Sequence, residues 1–298
     1  MTGPVALDVI IVSYRCQMLL RDCLGSLRDH PPVAPMRVHV IDNASGDGTV
    51  EMVRREFAEV ELTESPRNLG FSAANNLGIA AGDAPFVLAL NPDTLITAGA
   101  LEALLELMGS HPEVGISGPR LERPDGSFDH ASRRSFPTPL GALGHFSGLG
   151  RRAAASGALA QYRAPEVESG PVDAVNGAFM LIRRSALERV GAFDEGYWMY
   201  MEDLDLCYRF ARAGWTTWFE PSVTVIHVKA GSSGARRSPA LTRAFHYGMY
   251  RFYRAHYAPG RGALANAVVE LGIVAKLGIA LARGAVARAT SRRGRPGT

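Results

Sequence analysis

Val9-Ile10-Ile11-Val12 is an unbroken, β-branched apolar run that ends on the polar Ser13-Tyr14-Arg15, and its reading decides the fold. A short run of this kind is the pattern of a strand buried on both faces of a parallel sheet. Working outward, residues 16–28 carry Leu19, Leu20, Leu24 and Leu27 at helical spacing, and residues 38–41 repeat the strand pattern. Asn43 opens a Gly-rich turn, after which Thr49 is expected to cap a helix over residues 50–57. Residues 60–63 read as a third strand, 71–81 as a helix and 85–90 as a fourth strand. Strands and helices alternating at these lengths predict an α/β chain with a doubly wound, mostly parallel sheet flanked by helices. Ligands bind such sheets beyond the carboxyl ends of the strands. That rule points to Ser13-Tyr14, Asp42-Asn43 and Asn91-Pro92-Asp93.

The second half is less regular. Residues 123–169 are rich in Gly, Pro, Ser and Arg and show little periodicity. They read as a long excursion over the ligand face. Order returns at residues 172–182, with a helix near 185–190, another over 202–213, and strands at 216–220 and 223–227. Residues 242–257 read as an aromatic helix. Residues 263–289 read as a Gly/Ala-rich apolar helix that runs into Arg283, Arg288, Arg292, Arg293 and Arg295.

Of the 298 residues, 47% are hydrophobic and 20% charged, the balance of a folded globular protein. The net charge of +3 conceals an asymmetry. From Pro221 onward there are 13 Lys and Arg against one acid, Glu270, which leaves 19 bases and 28 acids in the first 220 residues. A basic tail on an acidic body points to an anionic partner, here a membrane surface or lipid phosphate; nucleic acid is not expected. Cys16, Cys23 and Cys207 form no CxxC pair and are read as buried, reduced thiols. Asp8 interrupts the first apolar run, so no signal peptide is expected and the site should face the cytosol.

Four stretches carry chemistry. Asp93, at the end of a strand, is suited to hold a hard divalent cation against a diphosphate, although Asn-Pro-Asp is also an ordinary turn. Asp42 is placed to accept from a base's ring N–H, or to form an Asx turn. Glu202-Asp203-Leu204-Asp205, with Arg209 one turn on, opens a helix after Tyr197, Trp198, Tyr200 and Met201. Acids are stabilised at a helix N-terminus in any case, but three beside four bulky side chains suggest a shaped pocket, in which one carboxylate serves as general base. Arg209 is spaced to pair with Asp205. His227 is either structural or a ligand to a Mn²⁺-like metal beside carboxylates.

Taken in order, six stretches resemble glycosyltransferase family 2, of the GT-A fold. They are residues 9–15, 40–48, 67–75, 90–93, 175–206 and His227 with Gly231, spanning about residues 8–233. The resemblance implies a GT-A domain over residues 1–233, with residues 119–170 a mobile acceptor-side excursion, and a basic helical C-terminal extension over 234–298. Ser13, Tyr14 and Asp42 would bind the nucleotide base and ribose. Arg67, Asn68 and Gly70 would line the ribose and diphosphate, with Asn91 nearby. Asp93 and His227 would hold Mg²⁺ or Mn²⁺. Asp203 would be the general base, with Glu202, Asp205 and Trp198 orienting the acceptor or its loop. Many relatives carry two acids in an Asp-x-Asp motif where this chain has Asn91 and Asp93. Asn68-Leu69-Gly70-Phe71 followed by a single-acid Asn-Pro-Asp most resembles bacterial rhamnosyltransferases of cell-surface polysaccharide assembly.

The implied activity is inverting transfer of a sugar, L-rhamnose from dTDP-L-rhamnose, to a hydroxyl of a glycan or lipid-linked acceptor. A UDP-linked galactofuranose, glucose or N-acetylhexosamine is the alternative donor class, and a non-catalytic membrane scaffold the alternative of another kind. A nucleotidyltransferase would need a Gly-rich basic loop where Ser13-Tyr14-Arg15-Cys16-Gln17 stands, and a dinucleotide enzyme would show GxGxxG there. The apolar helix of the tail is long enough to span a bilayer, but Glu270 and Lys276 disfavour that. It is expected to lie at the inner face of the plasma membrane, the alternatives being packing on the domain or pairing in a homodimer.

Overall fold

The structure, a computed structural model, describes residues 4–137, 168–229 and 237–293. Strand β1 (Leu7–Ser13) is followed by α1 (Gln17–Asp29), β2 (Met36–Asp42), α2 (Thr49–Glu56), β3 (Glu61–Glu64), α3 (Gly70–Ala81) and β4 (Phe86–Leu90). Next come β5 (Thr94–Leu95), α4 (Ala100–Ser110), β6 (Val114–Glu122), β7 (Arg133–Arg134), β8 (Gly170–Val172), β9 (Ala174–Val175), β10 (Phe179–Arg183) and α5 (Arg184–Val190). The chain continues through α6 (Glu202–Arg212), β11 (Thr216–His227), α7 (Pro239–His256) and α8 (Ala263–Arg293).

The main sheet runs in the order β3-β2-β1-β4-β10-β6-β11-β5, with β8 beside β11. Strands β1 to β4 are parallel, β10 is antiparallel, and β6 and β11 again run with β4. This is the mostly parallel sheet flanked by helices that the first 90 residues predict. Leu7, Val9, Ile10 and Ile11 are fully buried, which is why the β1 run shows no alternation. Helix α1 turns Leu20, Cys23, Leu24 and Leu27 to the sheet. All three cysteines are free and buried. Asp8, in the middle of an apolar strand, is fully buried too. It accepts from Arg37, Arg184 and the Ala84 amide, tying α5 to the opposite edge from the ligand face.

Several expectations need correction. Thr49 is the first residue of α2 rather than its cap; the cap is Gly48 at φ +86°. Residues 216–227 form one strand, with the register shift between Glu220 and Thr224 where Pro221 withholds an amide. Helix α4 and strand β6 go beyond the expected set, so residues 119–122 of the expected excursion belong to the sheet. Gly118 breaks the apolar pattern of β6 because Val175 presses on it, 2.8 Å from where a Cβ would stand. Residues 133–134 pair with β9, and residues 138–167 lie outside the described ones, as do Gly231 and Arg295.

Candidate functional site

Because β1, β2, β4, β6 and β11 run the same way, their carboxyl ends share one edge of the sheet, joined there by the start of β10. Ser13 and Asp42 stand opposite each other at the ends of β1 and β2. Asp42 Oδ2 accepts from the Ser45 amide at 3.2 Å. Its Oδ1 is buried with no partner among the described residues. A buried acceptor without a donor is costly, so this atom is a natural place for a ligand N–H. Tyr14 follows Ser13 with the Arg15 guanidinium 5.2 Å from its ring. Asn68 Oδ1 accepts from the Gly70 amide at 2.8 Å and from Asn43 Nδ2 at 3.1 Å. Asn43 also donates to the Gly70 carbonyl and accepts from Leu69 N, which fastens the 67–70 loop to the end of β2. Arg67 is exposed beside it.

Asn91 follows β4, its amide donating to the Ala178 carbonyl at 2.9 Å. Asp93 Oδ1 lies 3.4 Å from His227 Nε2, and the Val228 amide donates to the Asp93 carbonyl. The far nitrogen of His227 faces Asp129 Oδ2 at 3.4 Å, and Lys229 donates to Asp129 Oδ1 at 2.8 Å. Burial opposes the charge on His227, but Asp129 and Asp93 outweigh it and raise its pKa. Burial likewise opposes ionisation of Asp129, and its bonds from His227 and Lys229 lower the pKa well below the carboxylate range. A histidine with one nitrogen toward a candidate ligand position and the other on a carboxylate has the arrangement that orients metal-binding imidazoles. Among the described residues no three His, Cys, Asp or Glu side chains gather into a metal cage. Asp93 and His227 therefore fit a cation whose shell is completed by substrate oxygens and water, as Mg²⁺ and Mn²⁺ sites on diphosphates are.

Glu202, Asp203 and Asp205 are all buried in the first turn of α6. Asp205 accepts from Arg209 Nε at 2.7 Å, as the spacing predicts, and lies 2.7 Å from His256 Nε2 of α7. Asp203 is paired with Arg134 of β7 and accepts from the Gly177 amide at 2.9 Å and the Leu204 amide at 2.8 Å. Glu202 Oε2 has no partner among the described residues. Burial, then the neighbouring Asp203, pushes its pKa up to about 8.

The preceding loop aims these acids. Tyr200 and Met201 hold φ of +72° and +74°, strained values for side chains of their size. The Trp198 carbonyl accepts from the Phe71 amide at the start of α3. On the other side α7 supports the loop: Gly248 lets the Tyr200 carbonyl approach, and Phe245 meets the Tyr200 ring edge-on. Arg251 grips Asp194 with two bonds of 2.8 Å.

Every expected site residue thus lies at or beside the carboxyl edge or on the loop and turn that face it. Asp129, Arg134, Gly177 and His256 join them unanticipated, and Asn43, to which the strand-end rule points, fastens the 67–70 loop. Asn43 carried a signal, since it directly follows Asp42. The others did not, because their roles depend on long-range packing.

Residues 8–191 match the glycosyl transferase family 2. The chain is 36% identical over 254 residues to the N-acetylglucosaminyl-diphospho-decaprenol L-rhamnosyltransferase of Mycobacterium tuberculosis, covering 81% of each chain. Among solved structures it resembles the mannosyltransferase PcManGT of Pyrobaculum calidifontis, in complex with GDP-Man and Mn²⁺. That likeness has a TM-score of 0.57 at 19% identity, over 99% of this chain and 77% of that one. S. aureus TarS 1–349 is similar to the same degree, at TM-score 0.57 and 13% identity over 91% and 71%. The two structural likenesses show the GT-A fold, and the sequence match shows the rest: the chain belongs to glycosyltransferase family 2.

Proposed function

We propose that the protein transfers L-rhamnose from dTDP-L-rhamnose, with inversion, to a hydroxyl of a lipid-linked glycan in cell-surface polysaccharide assembly. The observation that carries this reading is the shared edge: a carboxylate, Asp203, and a cation-suited pair, Asp93 and His227, meet at the ends of the same strands. Asp42, Ser13 and Tyr14 receive the base and ribose; Arg67, Asn68, Gly70 and Asn91 line the path to the diphosphate. The acceptor hydroxyl gives its proton to Asp203 as its oxygen bonds to the anomeric carbon, and the carbon–diphosphate bond breaks on the opposite face. A divalent cation held by Asp93 and His227 would neutralise the charge on the leaving diphosphate. Trp198, Glu202 and Asp205 shape the acceptor side. The rhamnose assignment draws on the mycobacterial relative, whose named substrate is a diphospholipid sugar.

A membrane-surface location, at the inner face of the plasma membrane, is supported by α8. Within Ala263–Arg288 an 18-residue window has a mean hydropathy of 1.8, yet only 11% of that window is buried. Exposed Leu264, Val268, Leu271, Val274, Ile279 and Val286 fall within an arc of about 140° at helical spacing. Val269 and Ile273, on the opposite face, pack with Tyr253 and Ala258. An exposed apolar arc with Arg283 and Arg288 on its shoulders suits an anionic bilayer surface.

A donor panel tests the assignment through release of the nucleoside diphosphate. Consumption of dTDP-L-rhamnose with acceptor present is expected. Turnover of a UDP-sugar alone would move the donor to galactofuranose, glucose or N-acetylhexosamine, and no release from any donor would favour a scaffold.

A further inference from the structure

Three carboxyl groups within one helical turn need three ways of living with their charge. Asp205 has Arg209 and His256; Glu202 is buried, its Oε2 with no hydrogen-bond partner among the described residues; Asp203 has Arg134. Arg134 comes from a strand of two residues, held against β9 with Arg134 opposite Ala174. One nitrogen, Nη2, donates both to the Val175 carbonyl at 3.0 Å and to Asp203 Oδ2. The Gly177 amide donates to that same oxygen, and a side chain on Gly177 would crowd it at 3.2 Å. Among the described residues Oδ1 accepts only from its neighbour's amide, Leu204 N. A carboxylate offers about four lone-pair positions. Two donors occupy Oδ2 and one occupies Oδ1, so the remaining capacity lies on Oδ1.

We propose that Arg134 is a positioning residue of the transfer reaction: it pins Asp203 Oδ2 to the β9 backbone so that Oδ1 takes the acceptor's proton. The inference rests on Asp203 as the base. In the step itself the hydroxyl proton passes to Oδ1 and the oxygen's electron pair forms the new glycosidic bond. The electrons of the anomeric carbon–oxygen bond leave with the diphosphate. Arg134 keeps its own protons throughout and touches neither sugar. A lysine replaces it only in part, since the more flexible and more strongly hydrated ammonium has to be brought to the one point where the rigid guanidinium holds Nη2 between the two acceptors.

The test is a double-mutant cycle on the full chain with Arg134→Gln, Asp203→Asn and the pair, supported by Arg134→Lys and Arg134→Ala. Arg134→Gln should lower kcat about 10- to 100-fold, the cost of a misplaced catalytic group, with donor KM within about twofold. Arg134→Lys should fall between it and the native protein, and added methylguanidine should restore part of the Arg134→Ala turnover. In the Asp203→Asn background Arg134→Gln should cost less than about twofold, because its partner is already lost. Equal losses in both backgrounds, or native-like turnover of Arg134→Gln, would overturn the inference and leave Arg134 a packing residue. If the Gln variant does not fold, the cycle is run with Lys and the same equality decides. Near-native turnover of Asp203→Asn alone is a different failure: it removes the base assignment itself.

Discussion

Gly70 and Trp198 meet backbone to backbone. Gly70 holds φ +84°, and a Cβ there would overlap the Trp198 carbonyl oxygen and indole ring. The next amide, Phe71 N, donates to that carbonyl at 2.8 Å. The start of α3 is thereby fastened to the loop that carries the acids. Gly70→Ala meets both a left-handed φ and a steric clash, so it should destabilise the fold by about 1–3 kcal/mol. It should also lower transfer more than any loss of folded protein explains, as checked by thermal melts beside rates normalised to folded protein.

Asp203→Asn keeps the shape of the side chain and removes its capacity to accept a proton. Donor affinity, measured by calorimetry, should stay near native while transfer falls about 100-fold or more. Near-native transfer would move the base to Glu202 or Asp205.

Chelation should abolish transfer, and Mn²⁺ or Mg²⁺ should restore it. Asp93→Ala should raise the metal concentration needed for half-maximal rate sharply, and His227→Ala less so. Asp129→Asn, which removes the negative charge behind His227 and its ion pair with Lys229, should weaken metal affinity about 10- to 100-fold, the usual cost of losing such support. Full activity in EDTA would leave charge neutralisation to Arg and Lys side chains.

Glu202 gives a pH signature in stability. Its pKa is raised by burial from the ordinary 4.5 to about 8 in the fold. Below 4.5 both folded and unfolded chains hold the proton. Between 4.5 and about 8 only the fold holds it, so this group's contribution worsens steadily as pH rises, and above that window it is constant. Glu202→Gln should flatten the fall in unfolding free energy across that window, measured by urea titration at several pH values. An unchanged slope would show that Glu202 is ionised in the fold.

The exposed arc of α8 should carry the full-length protein onto anionic liposomes at low salt and release it at high salt. Truncation after Pro259 should abolish that binding while sparing donor hydrolysis, because α7 keeps its own contacts to Asp194, Tyr200 and Asp205. Full-length protein that remains in the supernatant at low salt would make α8 a packing or dimer element.

The first 90 residues were legible because β1 and β4 are almost wholly buried and α1 carries a regular apolar stripe, so local pattern and tertiary role agree there even though the edge strand β3 is mostly exposed. The positions of Asp42, Asp93 and His227 were legible for a related reason: each lies at or just past the carboxyl end of a strand. Beyond residue 110 that agreement lapses. Strand β6 contains Gly115, Gly118 and Pro119, which signal a break, yet Gly118 is there to admit Val175. Arg134 sits in two residues of strand with no period to detect, and its role appears only when β9 and α6 are brought to it. His256 shows no motif either; it reaches Asp205 across 51 residues of chain.

The support that α7 gives to Tyr200, Asp194 and Asp205 has a practical consequence for chimeras. A boundary drawn near residue 233 would separate the turn that carries the acids from the helix that braces it. A swap meant to transfer acceptor preference between relatives has to move residues 192–256 as one cassette. A hybrid cut between them should fold its nucleotide-side sheet and still be inactive, with a mismatched helix pressed on two left-handed residues.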